Sequence, residues 1–174
     1  ILLGPLTFNT TQVPATLPYT ENFDTPGFVF GLNNGTQVNK WMVGTSTFLS
    51  PGNSLYISSD NSTNIYTVNT SSVTHAFRDL AIPVGANEVN INFNWKAAGE
   101  SSFDYIRVWL VPSTSTPTPG IQLTTANSGG VQISGNLNQQ TTWNAFAGIQ
   151  NVSAYAGSNA RIIFEWRNDS SGGT

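Results

Sequence analysis

The segment Val89-Asn90-Ile91-Asn92-Phe93-Asn94-Trp95 decides the fold class. Its apolar residues take every odd position and its asparagines every even one, the two-residue period of a strand that buries one face and wets the other. Downstream, residues 103–111 set Ile106, Val108 and Leu110 against Phe103, Tyr105, Arg107 and Trp109. Both sets are partly apolar, which predicts a central strand covered on both sides. Further strands are predicted over residues 17–23, 40–43, 54–59, 73–82, 130–133 and 160–166. Between them lie Pro51-Gly52-Asn53, residues 83–87, residues 112–120 and Asn127-Ser128-Gly129-Gly130, all turn or loop chemistry. The best helix candidate, residues 145–155, contains Gly148 and predicts one or two turns at most. The expected architecture is all-β: a two-sheet antiparallel β-sandwich of jelly-roll type with little or no helix. Residues 1–16, rich in Thr and Pro, are expected to form an extended lead-in, and residues 17–174 one jelly-roll domain.

Composition agrees with this and narrows the function. Val, Ile, Thr and the aromatic residues number 64, against 30 for Ala, Leu, Glu, Lys and Met, which excludes a helical bundle. Only 9% of the 174 residues are charged, while Asn, Ser and Thr supply 59, so the surface must be made of neutral polar groups. The formal charge of −3 gives no basic face for a phosphate backbone, and no nucleic-acid partner is expected. There is no cysteine, which excludes a disulfide-stapled scaffold but suits an exported bacterial protein. Residues 1–6 are apolar but too short, and without a basic flank, to read as a signal peptide or a membrane span. The neutral polar surface points to an extracellular setting.

Catalytic chemistry is scarce. His75 is the single histidine, with no cysteine or second histidine to make a zinc site, and it is expected to be a structural residue. No Gly-rich phosphate loop and no GxSxG sequence is present. Glycoside hydrolysis needs two carboxylates across a cleft, and there are nine acidic residues to choose from. Glu165 shares its strand face with Arg161 and Arg167, so charge pairing is expected to account for it. A calcium ion, which prefers loop oxygens, is more plausible than catalysis: Asp60-Asn61-Ser62, residues 100–104, Glu21 with Asp24, and Asn168-Asp169-Ser170 are oxygen-rich, with plain turn and strand-end chemistry as the competing reading. Glycan binding is a third possibility: Tyr105, Arg107 and Trp109 share one face of a strand, and Asn90, Asn92 and Asn94 line the outward face of its expected neighbour. Tyr105, Arg107, Trp109, Asn92 and Asn94 are the candidate sugar-binding residues, with a loop or the opposite sheet over Trp109 as the competing expectation.

Several segments in order carry a resemblance. They are Leu17-Pro18-Tyr19-Thr20-Glu21-Asn22-Phe23-Asp24, Ser54-Leu55-Tyr56-Ile57-Ser58-Ser59-Asp60, Phe77-Arg78-Asp79-Leu80-Ala81-Ile82-Pro83, Phe93-Asn94-Trp95-Lys96, Asp104-Tyr105-Ile106-Arg107-Val108-Trp109-Leu110 and Arg161-Ile162-Ile163-Phe164-Glu165-Trp166. Together they resemble the MAM-like jelly-roll domains of the cleaved-adhesin or choice-of-anchor J type. The resemblance implies export by a type 9 secretion system, a cell-surface or secreted parent chain with further domains, and a non-catalytic role in adhesion toward a surface glycan or protein. It also implies structural calcium, with Glu21, Asp24, Asp60 and Asp104 as the positions carried over. Such domains continue beyond the segment Trp166-Arg167-Asn168-Asp169 into one more strand, so residues 17–174 are expected to lack a final strand and to leave a sheet edge or groove open. A filament or stalk subunit completed by a partner's strand is the structural alternative.

Overall fold

The computed structural model describes residues 12–25, 29–50 and 52–173. Among the described residues ten strands run in the order β1 (Ala15–Thr16), β2 (Gly31–Asn33), β3 (Lys40–Gly44), β4 (Ser54–Ser58), β5 (Ser72–Ala81), β6 (Glu88–Ala97), β7 (Tyr105–Pro112), β8 (Val131–Gln132), β9 (Gln140–Asn151) and β10 (Asn159–Asn168). The main sheet has the order β1-β5-β10-β7-β8, with β2 also on β5. All its pairings are antiparallel except the two-residue contact of β1 with β5. The second layer is split into two hairpin-like pairs, β3-β4 and β6-β9. From β5 onward the chain passes repeatedly from one layer to the other, β5 to β6 to β7 and β9 to β10, as a two-layer sandwich requires. The all-β sandwich expectation holds, and the described helix amounts to α1 (Thr125–Ser128) and one 3₁₀ turn at Ser153–Tyr155.

Alternation places the core. The inner face of the main sheet carries Leu80 from β5, Ala160 and Ile162 from β10 and Val108 and Leu110 from β7. These pack under Val89, Ile91, Phe93 and Trp95 of β6, the four residues that the sequence pattern puts on one side. Toward the other end of the same face, Ala76 and Trp166 pack under Trp41 of β3 and Leu55 and Ile57 of β4. Phe164 and Ile106 touch both groups and remain only partly buried. The outer face of the main sheet is covered too: Phe77, Trp109, Val111 and Ile163 form an apolar patch with Leu123 from the β7–β8 connection. That connection is tied down at several points. Gly120 donates its N–H to Val73 O at 2.8 Å, Arg161 donates to Ser115 O at 2.7 Å, and the Asn33 amide donates to Pro117 O at 2.6 Å.

Three sequence expectations change. Residues 17–23 are not a strand, because Pro18 has no N–H and Phe23 adopts φ +62° with its N–H held by the Glu21 carboxylate at 2.7 Å. Residues 145–151, expected as a short helix, belong to β9, which pairs residue for residue with β6 from Glu88↔Asn151 to Trp95↔Asn144. Tertiary pairing overrides the weak helical propensity around Ala145 and Ala147. Glu165 does not pair with arginine. Its Oε2 lies 3.3 Å from His75 Nε2, both side chains fully buried, and also accepts the Leu123 N–H. Arg161 instead forms a two-pronged pair with Asp79, with contacts of 2.6 and 3.0 Å. Of the lead-in expected over residues 1–16, residues 1–11 lie outside the described residues, while Ala15–Thr16 form β1 and pair with Leu80 and Ala81 of β5.

Leu110, fully buried in the main sheet, should cost about 2–5 kcal/mol of unfolding free energy when changed to alanine. Ile149, on β9 and 63% exposed, should change stability by less than about 0.5 kcal/mol on the same substitution. Urea unfolding of Leu110→Ala and Ile149→Ala measures both.

Candidate functional site

A cleft of about 810 Å³ lies between the two halves of the second layer. One wall is β4, the other β6, and the floor is the inner face of the main sheet, where Ile106 and Phe164 are partly open and Ile162 and Trp166 are buried. Its origin is packing geometry. The β3-β4 pair is held to the main sheet by the Trp41 indole N–H, which donates to Thr74 O at 3.2 Å, and by the buried Asn39 amide, which donates to Asn168 Oδ1 at 2.8 Å. The β6-β9 pair is held by Ile91 and by Val152 just beyond β9. The two halves touch where the Trp143 indole N–H of β9 donates to Phe48 O in the β3–β4 loop at 3.1 Å.

The cleft is rich in aromatic and amide groups and poor in charge. Tyr19, Tyr56, Phe93 and Trp95 border it, and Phe93 stacks on Phe146 with ring centres 4.7 Å apart. Its charged lining side chains among the described residues are Glu21 and Lys96. Glu21 accepts the Tyr19 hydroxyl at 2.8 Å and the Phe23 N–H at 2.7 Å, and Lys96 sits 5.4 Å from the Trp143 ring centre. Burial, then the adjacent Glu21 carboxylate, push the Tyr19 hydroxyl pKa up, so it remains a donor at neutral pH. Leu49, 55% exposed, forms part of the rim.

The residues expected to bind sugar do not form a common face. Trp109 and Tyr105 are each 3% exposed. Trp109 lies beneath Leu123, and Tyr105 donates its hydroxyl to Gln122 at 3.0 Å while Arg107 covers its ring at 4.5 Å. Arg107 in turn donates to Asn136 at 2.8 Å. Asn92 and Asn94 are exposed, but on β6, which pairs with β9 in the other layer and is not a neighbour of β7. The competing expectation, a loop over Trp109, is what occurs. A hint was present in the apolar Leu123 just past the Pro- and Thr-rich run, since a chain crossing a sheet face must bring an apolar residue to it.

The four expected calcium ligands fare similarly. Among the described residues no three Asp, Glu, His or Cys side chains converge on a metal position. Each carboxylate already has protein donors: Glu21 as above, Asp24 the Asn53 N–H at 2.6 Å, and Asp104 the Tyr66 hydroxyl at 2.6 Å and the Asp169 N–H at 3.2 Å. Asp60 accepts four hydrogen bonds from Ser58, Ser62 and Thr63, at 2.7–2.8 Å, and thereby closes its own loop. The residues carried over from the resemblance therefore do not fit a calcium ion as a set. An open edge or groove was expected from the sequence, but its place between β4 and β6 and its lining were not legible, because they arise from which strands fail to pair.

No protein-family model and no curated protein sequence matches the chain. Solved structures of similar shape include a tailspike domain and a carbohydrate-binding module. The enzymatically active domain of tailspike protein 4 of bacteriophage CBA120 aligns at 17% identity and a TM-score of 0.47 over 87% of this chain, which spans 18% of the tailspike chain. The carbohydrate-binding module TmCBM61, solved with β-1,4-galactotriose, aligns at 10% identity and a TM-score of 0.40, covering 86% of this chain and 83% of the module. These are likenesses of β architecture, and neither bears on ligand or activity.

Two outcomes follow from the placements. Trp109→Ala should unfold at lower denaturant, by about 3–5 kcal/mol, as a core aromatic and not as a surface platform; a variant as stable as the parent would contradict the burial. Hydrogen bonds from Thr63, then Ser58 and Ser62, hold the Asp60 carboxyl well below the usual carboxylate range. A lowered folded pKa means its stabilisation is complete above the unfolded pKa of about 4 and is lost as pH falls below it. The melting-temperature gap between the chain and Asp60→Asn should be constant from about pH 7 to about pH 5 and narrow below about pH 4.

Proposed function

We propose that this chain is a non-catalytic binding module of a secreted or surface protein, and that the cleft between β4 and β6 takes its ligand. The observation that carries this is an apolar floor, Phe164 and Ile106, left partly open to solvent between two strand walls. A volume of about 810 Å³ is within the range in which proteins hold ligands. The non-catalytic part of the reading is supported by the lining itself. Glu21 is its one carboxylate among the described residues, and it is occupied by Tyr19 and Phe23, so a two-carboxylate hydrolysis has no second group there. Export and adhesion remain inferences from the neutral polar surface and the sequence resemblance.

A second reading, a glycan on the outer face of the β6-β9 pair, is favoured by one observation. Asn90, Asn92 and Asn94 form a row of exposed amides leading to Lys96 and Trp143. Amides donate to and accept from hydroxyls, and an aromatic ring beside them offers a stacking surface.

Calorimetric titration against β-linked oligosaccharides and against uncharged peptides tests both readings. Cleft binding predicts a saturable ligand in one panel, weakened about tenfold or more by Leu49→Arg with Thr141→Arg, two exposed lining positions whose change should leave the melting temperature nearly unmoved. An oligosaccharide that ignores this double variant but is lost with Asn92→Ala and Asn94→Ala would establish the second reading. Silence of both panels would end both.

A further inference from the structure

The cleft borders residues 89–99 without a gap on one side and residues 54–57 without a gap on the other. Side chains of consecutive strand residues point to opposite faces, so a cavity that touches every one of them borders the strand edges, not the faces. Both edges are open: among the described residues β6 pairs with β9 alone and β4 with β3 alone. On each, the N–H and C=O of every second residue point into the cleft. Proteins guard such edges with charge, proline or bulges. Here β4 reads Ser-Leu-Tyr-Ile-Ser, with none of these, and β6 has Glu88, Lys96 and a register shift between Trp95 and Ala97 only at its ends. The open stretches face each other.

We propose that the cleft is an acceptor slot for a β-strand from a partner polypeptide; the inference rests on the cleft being the binding site. Three observations select a strand over an oligosaccharide. The two walls present donors and acceptors that recur about every 6.8 Å on both sides, a repeat that a peptide backbone matches along its whole length. Strand spacing, layer spacing and rise together give roughly 160 Å³ per residue of strand, so the cleft accommodates about five residues, the length of β4. Among the described residues the lining carries one charge of each sign, Glu21 and Lys96, so the occupant is uncharged. Its inward side chains, at alternate positions, are apolar and complete the cover over Phe164 and Ile106. The strand joins β3-β4 and β6-β9 into one continuous layer.

The test uses blocked peptides of about seven residues in which Val, Ile, Leu or Phe alternates with Thr or Asn, each paired with a copy N-methylated at alternate positions. Binding is read by calorimetry and by amide hydrogen exchange in the intact chain. The slot predicts at least one binder, exchange slowed about tenfold or more at alternate amides of both Ser54–Ser58 and residues 89–95, and about tenfold weaker binding once the peptide donors facing an edge are methylated. Equal binding of the methylated copies, or binding without protection of both edges, would overturn it. If oligosaccharides bind and no peptide does, the strand proposal fails while the cleft remains the site; if neither binds, both fail. Dimerisation that protects the same amides without peptide also overturns it, in favour of a second copy.

Discussion

Strand β10 is paired along both edges, with β5 through ten residues and with β7 through eight, and is covered on both faces. Those four surfaces set the positions of nearly everything else. Ile162, Phe164 and Trp166 face the second layer, while Ile163 faces the β7–β8 connection. Between them Glu165 carries a carboxylate into the interior, and such a group persists in low dielectric only with partners. Its partners are His75 on the next strand and the Leu123 N–H of the crossing segment. One buried acid therefore fixes the register of β5 against β10 and the path of the connection over the outer face. That covering turns Tyr105 and Trp109 from surface residues into core.

The inner face meets a cover that comes in two pieces. Each piece has its own anchors: Trp41 on Thr74 and Asn39 on Asn168 for one, and the apolar side of β6 with Val152 for the other. Because neither depends on the other for its attachment, neither is drawn across the gap. Closing it would pull Trp41 or Ile91 out of fitted positions, and a packed interior resists such a shift. The half-covered Phe164 is thus a consequence of two independent anchorings, and the cleft is a built feature of the sandwich.

The parts legible in the sequence were those governed by local periodicity. The alternation at residues 89–95 identified the face of β6 that enters the core, and the doubly apolar run at 103–111 identified β7 as a central strand. Pairing was not legible. Asn92 and Asn94 belong beside β9, because the residues between 140 and 151 form a strand whose alternation is blurred by Ala145, Ala147 and Gly148. The acidic residues are ambiguous in the sequence for a related reason: a short polar loop that closes on its own carboxylate, as at Asp60, has the same composition as one that closes on a cation. Hydrogen-bond direction separates the two, and composition does not contain it.

The shortage of charge then takes a structural meaning at the cleft. Edges can be left unguarded only where something blocks indiscriminate pairing. The gap between β4 and β6 does this by geometry. A flat sheet edge from another molecule cannot enter a slot closed on two sides by strands and below by the main sheet, whereas a single extended segment can. Lysines along β4 would guard the edge equally well but would also exclude the segment. A neutral edge within a narrow slot selects by shape and by backbone hydrogen bonding, and those contacts, unlike exposed ion pairs, are screened little by salt.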